Sequence, residues 1–392
     1  MAAGPEPLSI FHNLPSGGGA RVMSDMMGPL SREFAVTVHF PEGSREPPDL
    51  PGVTLRRWPF RAGGRMRGAA RLFGPLALMA RLQSLDRLCR RIAQEMNRNS
   101  GAVLVHNSMF VAAPPLLKYL EVPSVYFCFE YPRHIYEPLV VRRTVGWFRH
   151  FLLAGLRSME KRMDRSAAMA ADRTVALSSW MAGRLADIYG LELSIVRPGV
   201  NTGFFSPGEP GPVDGHVLSV GALWPFKGHD MALEAVAALP ADRKPRMVVV
   251  ADREYPGYRR RLSAAANGLG VDLEVLTGIS DLRLRDLYRR AGAVLCCQRN
   301  EPYGLVPLEA MACGAPVIAV DEGGFPDNVR DGVNGLLVRR DLEAVSRALD
   351  RVLKDRELAR RLGRGGRDFV TGERTRKAAA DDLIGVLKKL ST

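Results

Sequence analysis

The stretch Glu301-Pro-Tyr-Gly-Leu-Val-Pro-Leu-Glu309-Ala-Met-Ala-Cys-Gly314, followed at once by Ala315-Pro-Val-Ile-Ala-Val320, decides the fold. It places two carboxylates eight residues apart around a glycine. Pro302-Tyr303-Gly304 is turn chemistry, and Leu305, Leu308, Ala310 and Met311 recur at helical spacing, which predicts a helix beginning near Gly304. The first peptide N–H groups of a helix lack intrahelical partners and carry the positive end of its dipole, so a phosphate is accommodated there without a metal. Glu309 falls in the second turn, within reach of hydroxyls on the same ligand. Two glutamates alone also suit a surface residue and an ordinary helix residue. The residues that follow separate the readings.

Ala315 to Val320 is a short β-branched run of the kind buried in a parallel sheet, and Asp321-Glu-Gly-Gly324 is a turn expected to feed a further helix. Asp331-Gly-Val-Asn-Gly335 and Leu336-Leu-Val338 repeat turn and strand. Over residues 278–338 the chain resembles the family 4 glycosyltransferases: a Glu, seven residues, a second Glu running into Ala-Met-Ala-x-Gly-x-Pro-Val, then a Gly-Gly turn and an Asn-Gly. The resemblance implies an α/β chain of the GT-B fold, with two Rossmann-like doubly wound domains facing each other across a cleft. It also implies a nucleotide-sugar site in this stretch.

Size and composition agree. At 392 residues the chain is too long for one ordinary core and suits two α/β domains. Its 46% hydrophobic and 25% charged residues are those of a globular protein. The five cysteines (Cys89, Cys128, Cys296, Cys297, Cys313) show no disulfide spacing, so a reducing cytoplasm is expected. The first residues lack a basic region followed by an apolar stretch, and no run of about 18 apolar residues occurs, so neither export nor a membrane span is expected.

The net charge is +13. Residues 1–200 hold 26 Lys and Arg against 16 Asp and Glu, while residues 201–392 hold 29 against 26, so the excess lies in the first half. Residues 56–98 contain eleven arginines interleaved with Leu72, Phe73, Leu76, Leu78, Met79, Leu82, Leu85 and Leu88, and Arg142 to Leu153 repeats the mixture. Two readings follow: basic amphipathic helices on an anionic membrane surface, or core positions with a solvated arginine face. No zinc-finger spacing, RNP-like strand or Gly-x-x-Gly clamp supports a nucleic-acid partner.

Along the chain, strands and helices alternate. Leu8–His12, Phe34–Phe40, Val103–His106, Val122–Phe129, Val175–Ser178 and Ile195–Arg197 read as strands, with Ser16-Gly-Gly-Gly19 as a loop and Ala20–Leu30 as a helix. The expected domains are 1–198, a Pro- and Gly-rich linker 199–214, a second domain 215–372 opening with strand Val217–Val220, and a carboxy-terminal helix within 373–392. Gly372 marks the break before that helix, which the resemblance implies crosses back onto the first domain.

The resemblance also assigns site residues. Ser219-Val-Gly-Ala-Leu-Trp-Pro-Phe-Lys-Gly228 is similar to a family loop whose Arg and Lys neutralise the donor diphosphate; Lys227 is in place and Ala222 stands where the Arg is usual. Gly18 and Gly19 match the amino-terminal glycine loop beside donor and acceptor. His106 matches a histidine near the reacting sugar. Phe129-Glu130-Tyr-Pro-Arg133 resembles a His-Glu-x-Pro-Arg segment with Phe129 replacing the histidine. The catalytic residues implied are His106, Glu301 and Lys227. The donor-binding residues are Gly18, Gly19, Lys227, Tyr303, Gly304, Leu305, Val306 and Glu309, the last on the ribose.

The implied reaction is metal-independent hexosyl transfer, with retention, from a nucleoside diphosphate sugar to a saccharide or lipid-linked acceptor. It needs no cofactor, and the chain has no Asp-x-Asp motif. Front-face attack is the route that analogy favours, in envelope polysaccharide or glycolipid synthesis at the cytoplasmic side of the membrane. Ala222 and Phe129 keep open a GT-B chain that binds a nucleotide sugar or partner without turnover, and a sugar-nucleotide epimerase is the other alternative.

Overall fold

The computed structural model describes residues 4–15, 17–60, 74–108, 111–137, 154–208 and 215–390. They form two compact units, residues 1–196 with 380–392 and residues 197–379. Ser16, the basic residues between 61 and 73, the segment Arg142 to Leu153 and residues 209–214 of the expected linker lie outside the described residues.

The first unit runs β1 (Pro7–Asn13), α1 (Gly18–Glu33), β2 (Ala35–Pro41), β3 (Val53–Trp58), α2 (Gly74–Asn99), β4 (Ala102–Ser108), β5 (Ser124–Cys128), α3 (Arg133–Tyr136), α4 (Ala154–Ala168), β6 (Arg173–Ala176), α5 (Ser179–Tyr189) and β7 (Leu193–Ile195). Its strands form one parallel sheet in the order β3-β2-β1-β4-β5-β6-β7. The central strands β1, β4 and β5 are buried almost throughout, as strands covered on both faces must be. Helix α1 turns Val22, Met23, Met26, Met27 and Leu30 inward, a stripe at helical spacing. Helix α5 is capped by Ser178, whose hydroxyl accepts from the Met181 N–H, and stops at the left-handed Gly190.

Helix α2 bears on the charge question. Leu82, Leu85, Leu88, Cys89, Ile92, Ala93 and Met96 pack into the first core, while Arg87, Arg90, Arg91 and Arg98 are exposed. Over this described stretch the apolar face is core and the arginines are a solvated face. Strand β3 was not expected. It is an edge strand with Thr54, Arg56 and Arg57 exposed, and it lies where the arginine-rich run begins. Gly18 and Gly19 do not belong to a loop: α1 starts at Gly18, and only Gly17 takes a glycine-type backbone, with φ of 137°.

The second unit runs β8 (Val217–Val220), α6 (His229–Ala237), β9 (Met247–Ala251), α7 (Tyr258–Leu269), β10 (Leu273–Thr277), α8 (Asp281–Arg290), β11 (Ala293–Cys296), α9 (Leu305–Ala312), β12 (Val317–Val320), β13 (Leu336–Val338), α10 (Leu342–Lys354) and α11 (Arg356–Glu373). Its parallel sheet has the order β10-β9-β8-β11-β12-β13. The turn after β12 feeds a 3-10 turn, Phe325–Asp327, rather than an α-helix, since Pro326 and the bond from Asn328 Nδ2 to the Tyr303 carbonyl close the segment. Residues 199–208 lie in this unit.

Gly372 does not separate the last two helices. It lies inside α11, and the break falls at Arg374, whose carbonyl accepts from the Val200 N–H. Helix α12 (Arg376–Lys388) then carries the chain into the first unit, where Lys388 donates to Glu33 at 2.8 Å. Among the described residues no helix is long and apolar enough to cross a membrane.

Both sheets reverse their strand order once, between β1 and β4 and between β8 and β11. Open parallel sheets bind ligands outside the carboxyl ends of the strands at such a reversal, because the helices that follow the two strands diverge to opposite faces and leave a crevice.

Candidate functional site

At the reversal of the second sheet, the loops leaving β8 and β11 meet. The β8 loop passes through Gly221 and Ala222 into a 3-10 turn, Pro225–Lys227, and Gly228 then starts α6 with a left-handed φ of 71°. A Cβ at Gly228 would fall 1.8 Å from the Cys297 carbonyl, so only glycine lets the two loops touch there. The Arg299 N–H donates to the Phe226 carbonyl at 2.8 Å. Lys227 Nζ donates to Glu301 Oε2 at 2.8 Å, with both side chains about four-fifths buried (22% and 21% exposed). The structure therefore brings together a lysine and a glutamate 74 residues apart.

His229 fixes the front of the β8 loop. Its Nε2 donates to the Gly221 and Ala222 carbonyls at 3.2 Å each, and its Nδ1 accepts from Ser219 Oγ at 2.9 Å. Burial lowers its pKa to about 4, so the ring is neutral and the donor assignment is stable.

Three residues beyond Glu301, Gly304 starts α9 with φ of 89°; a Cβ there would meet the Phe325 ring at 2.7 Å. The first helical residues are Leu305 and Val306, and Pro307, the third, has no N–H to offer. An anion at this end therefore meets the Leu305 and Val306 N–H groups. Leu308, Ala310, Met311 and Ala312 are buried, which holds the helix in the core behind its amino end.

Glu309 is in the second turn and only 4% exposed, and Tyr288 of α8 donates its hydroxyl to Glu309 Oε2 at 2.9 Å. The Tyr303 side chain is engaged elsewhere. Its hydroxyl donates to the Pro198 carbonyl at 2.6 Å and its ring is buried, so only its main chain remains for a ligand.

At the reversal of the first sheet stand Gly18 and Gly19, at the start of α1, and His106 near the end of β4. His106 is 1% exposed, and its ring stacks on Phe129 at 4.7 Å between centroids. The same Phe129 lies over Gly19, where a Cβ would come within 3.0 Å of its ring. Asn107 holds Phe129 in place by accepting from its N–H and donating to the Glu130 carbonyl. Glu130 itself pairs with Arg133 at 3.0 Å.

Burial, with nearby His12 second, lowers the His106 pKa to about 3, so the ring is a neutral, weakly basic group. His106 Nδ1 and His12 Nε2 have no hydrogen-bond partner among the described residues. The His12 Nδ1 accepts from the Leu14 N–H, which places the His12 proton on Nε2.

Some features of the site are not marked in the sequence. Tyr288 reaches Glu309 from another helix, His229 bonds back to the loop that precedes it, and Phe129, which the sequence shows only as standing in for a histidine, stacks on His106. His12 lay inside a recognised strand, ahead of a glycine run, and that setting was its only signal.

Residues 212–369 match the family model of the glycosyl transferases group 1. Over 215 residues the chain is 39% identical to the D-inositol 3-phosphate glycosyltransferase of Acidothermus cellulolyticus, covering 48% of each chain. The chain spans about half the length of the curated relatives it matches. Among solved structures it is similar over 98% of its length to the sucrose-phosphate synthase of Thermosynechococcus elongatus, with a TM-score of 0.77, 18% identity and 99% of that chain covered. It is also similar to Anabaena Alr3699/HepE in complex with UDP and glucose, with a TM-score of 0.72 and 16% identity over 98% of this chain and all of that one. At these identities the structural likeness establishes the GT-B fold.

Proposed function

We propose that this chain, a family 4 glycosyltransferase with the GT-B fold, moves a hexosyl group with retention from a nucleoside diphosphate sugar to a saccharide or lipid-linked acceptor. One observation carries the reading. Lys227 and Glu301 meet at 2.8 Å where the second sheet reverses, beside the open amino end of α9 and one helical turn ahead of the buried Glu309.

In this reading the diphosphate takes Lys227 and the Leu305 and Val306 N–H groups, and Glu309 holds the ribose hydroxyls. Glu301, beside Lys227, faces the sugar hydroxyls. The bond from the anomeric carbon to the diphosphate oxygen breaks with its electron pair going to the diphosphate. The acceptor oxygen bonds to the same face of that carbon, and its proton passes to a departing phosphate oxygen. Positive charge fixed by Lys227 and by oriented peptide groups stabilises the leaving group as its charge develops, so the step is assigned no metal. His106, neutral at pH 7, orients polar groups on the acceptor side and does not serve as the base.

UDP is the first nucleotide to test, because the similar Anabaena protein is seen with UDP and glucose. The excess of basic residues in the first half favours an acceptor bearing an anion, and the relative from Acidothermus is named for a phosphorylated polyol. We place the reaction in envelope polysaccharide or glycolipid assembly, at an anionic membrane surface on its cytoplasmic side. Sedimentation with anionic vesicles at low salt tests that placement, and a chain that stays in the supernatant removes it.

The activity is tested by incubating the full chain with UDP-glucose, GDP-mannose and ADP-glucose in EDTA, each with saccharide, lipid-linked and D-inositol 3-phosphate acceptors, and following release of the nucleoside diphosphate. Proton NMR then reads the anomeric configuration of the product. Release with an α-linked product supports the proposal, and a β-linked product or no release from any of the three counts against it.

A further inference from the structure

We propose that Arg340 and Glu322 are positioning residues that set the sugar-facing Glu301 from behind. The inference rests on the glycosyltransferase reading above. Its starting point is Asn300, the one non-glycine residue with positive φ (49°) among the described residues. It directly precedes Glu301. Asparagine enters the left-handed region more readily than most residues, yet the conformation still costs energy and persists only where its surroundings enforce it.

The surroundings do so through one carboxylate. Glu322, just beyond β12, accepts the Asn300 N–H on Oε1 at 2.9 Å, and its Oε2 accepts from Arg340 Nε. Arg340, just beyond β13, turns its Nη2 to the Cys297 carbonyl at 2.9 Å and the Gln298 carbonyl at 2.5 Å. Its Nη1 approaches the Met231 sulfur at 3.8 Å. Both side chains are mostly buried.

One guanidinium and one carboxylate thus hold three of four successive loop positions, Cys297, Gln298 and Asn300, from the side of β12 and β13. On the opposite side the loop rests on Gly228 and on the Phe226 carbonyl, which flank Lys227. The turn that carries Glu322 completes the cradle. The Gly324 N–H donates to the Glu301 carbonyl at 2.7 Å, and a Cβ at Gly323 would fall 2.5 Å from that same oxygen.

The main chain of Glu301 therefore has little freedom to move, and its carboxylate meets Lys227 because the loop behind it is clamped. Diphosphate contacts are assigned to Lys227 and α9, whereas the sugar contact is assigned to Glu301. Loosening the clamp is expected to misplace the second while sparing the first. A positioning error of this kind lowers turnover more than it lowers affinity for the part of the donor that lacks the sugar.

The test is steady-state kinetics of full-length Arg340→Met, Arg340→Lys and Glu322→Gln with whichever of UDP-glucose, GDP-mannose or ADP-glucose the wild type turns over. Calorimetric binding of the corresponding UDP, GDP or ADP is measured in parallel. The expected result is a kcat at least tenfold lower for Arg340→Met and for Glu322→Gln, with a smaller loss for Arg340→Lys, which keeps the charge but not the two carbonyl contacts. Nucleoside diphosphate Kd stays within threefold throughout, and the Arg340→Met/Glu322→Gln double variant loses no more than the worse single one. Should Arg340→Met fail to fold, Glu322→Gln and Arg340→Lys carry the same expectation. Variants with kcat within twofold of wild type, or with Kd rising in step with the loss of kcat, overturn the inference. A wild type that turns over none of the three nucleotide sugars overturns the glycosyltransferase reading instead.

Discussion

Lys227 Nζ and Glu301 Oε2 lie 2.8 Å apart, joining the loops that leave the neighbouring strands β8 and β11. In the proposed reading the pair concentrates the two charges that transfer chemistry needs, a cation for the leaving group and a carboxylate for the sugar, where the strand order reverses. Its contribution to folding is small, about 1 kcal/mol for a partly exposed pair. Its cost to catalysis on removal is larger. Lys227→Met is expected to weaken nucleoside diphosphate binding by roughly 10- to 100-fold, the range of one lost charge-assisted contact. Calorimetry on the variant checks this, and an unchanged Kd counts against the assignment of Lys227.

Ala222 leaves room for a gain of function. Arginine restored there would add a second cation to the diphosphate, so Ala222→Arg is expected to tighten nucleoside diphosphate binding by about tenfold. The gain should shrink as salt is raised, because the added contact is electrostatic. Titration at low and high salt measures both effects, and a weaker or unchanged affinity at low salt contradicts the placement of the diphosphate beside this loop.

Tyr288 donates its hydroxyl to the buried Glu309 carboxylate. Tyr288→Phe keeps the packing and removes that hydrogen bond, so unfolding in urea should show a loss of about 1–3 kcal/mol. Nucleotide affinity should fall as well, since the carboxylate is then less firmly oriented. Full stability and full affinity in this variant would mean that Glu309 is positioned by other contacts.

The helix that follows Gly304 was legible in the sequence because its turn and apolar spacing lie in one segment, with Glu301 and Glu309 placed around it, whereas Lys227 entered only through the family resemblance of its loop. What escaped is long-range. Arg340 and Glu322 are ordinary charged residues after two short strands, and only the sheet order β11-β12-β13 brings them behind Asn300. Strand β3 was hidden because Arg56 and Arg57 merge it with the basic run, while an edge strand tolerates their exposure. Phe129 read as a missing histidine, but its stacking on His106 and its closeness to Gly19 follow from β5 lying beside β4.

Four of the buried histidines make acid lability a second consequence of the fold. Burial first lowers the pKa of His12, His39 and His229 to about 4 and of His106 to about 3, from an ordinary value of 6.5. Between pH 6.5 and about 4 the unfolded chain binds protons that the folded chain does not, so stability falls as pH falls through that window, by up to about 1.4 kcal/mol per pH unit for each histidine. Asp164 works the other way, since burial raises its carboxyl pKa and favours the folded state at lower pH, but it is one group against four. Urea midpoints at pH 7.5, 6.5 and 5.5 should decline steeply over the last interval. A midpoint that holds or rises there contradicts the burial of these rings.

The most direct test of the donor site is calorimetric titration of the full chain with UDP, GDP and ADP in EDTA, repeated on Glu309→Ala and Lys227→Met. The account predicts that one nucleoside diphosphate binds the wild type without metal and that each variant weakens it at least tenfold. Failure of all three to bind at millimolar concentration, or binding that both variants leave intact, would contradict a nucleotide-sugar site at Lys227, Glu301 and the head of α9.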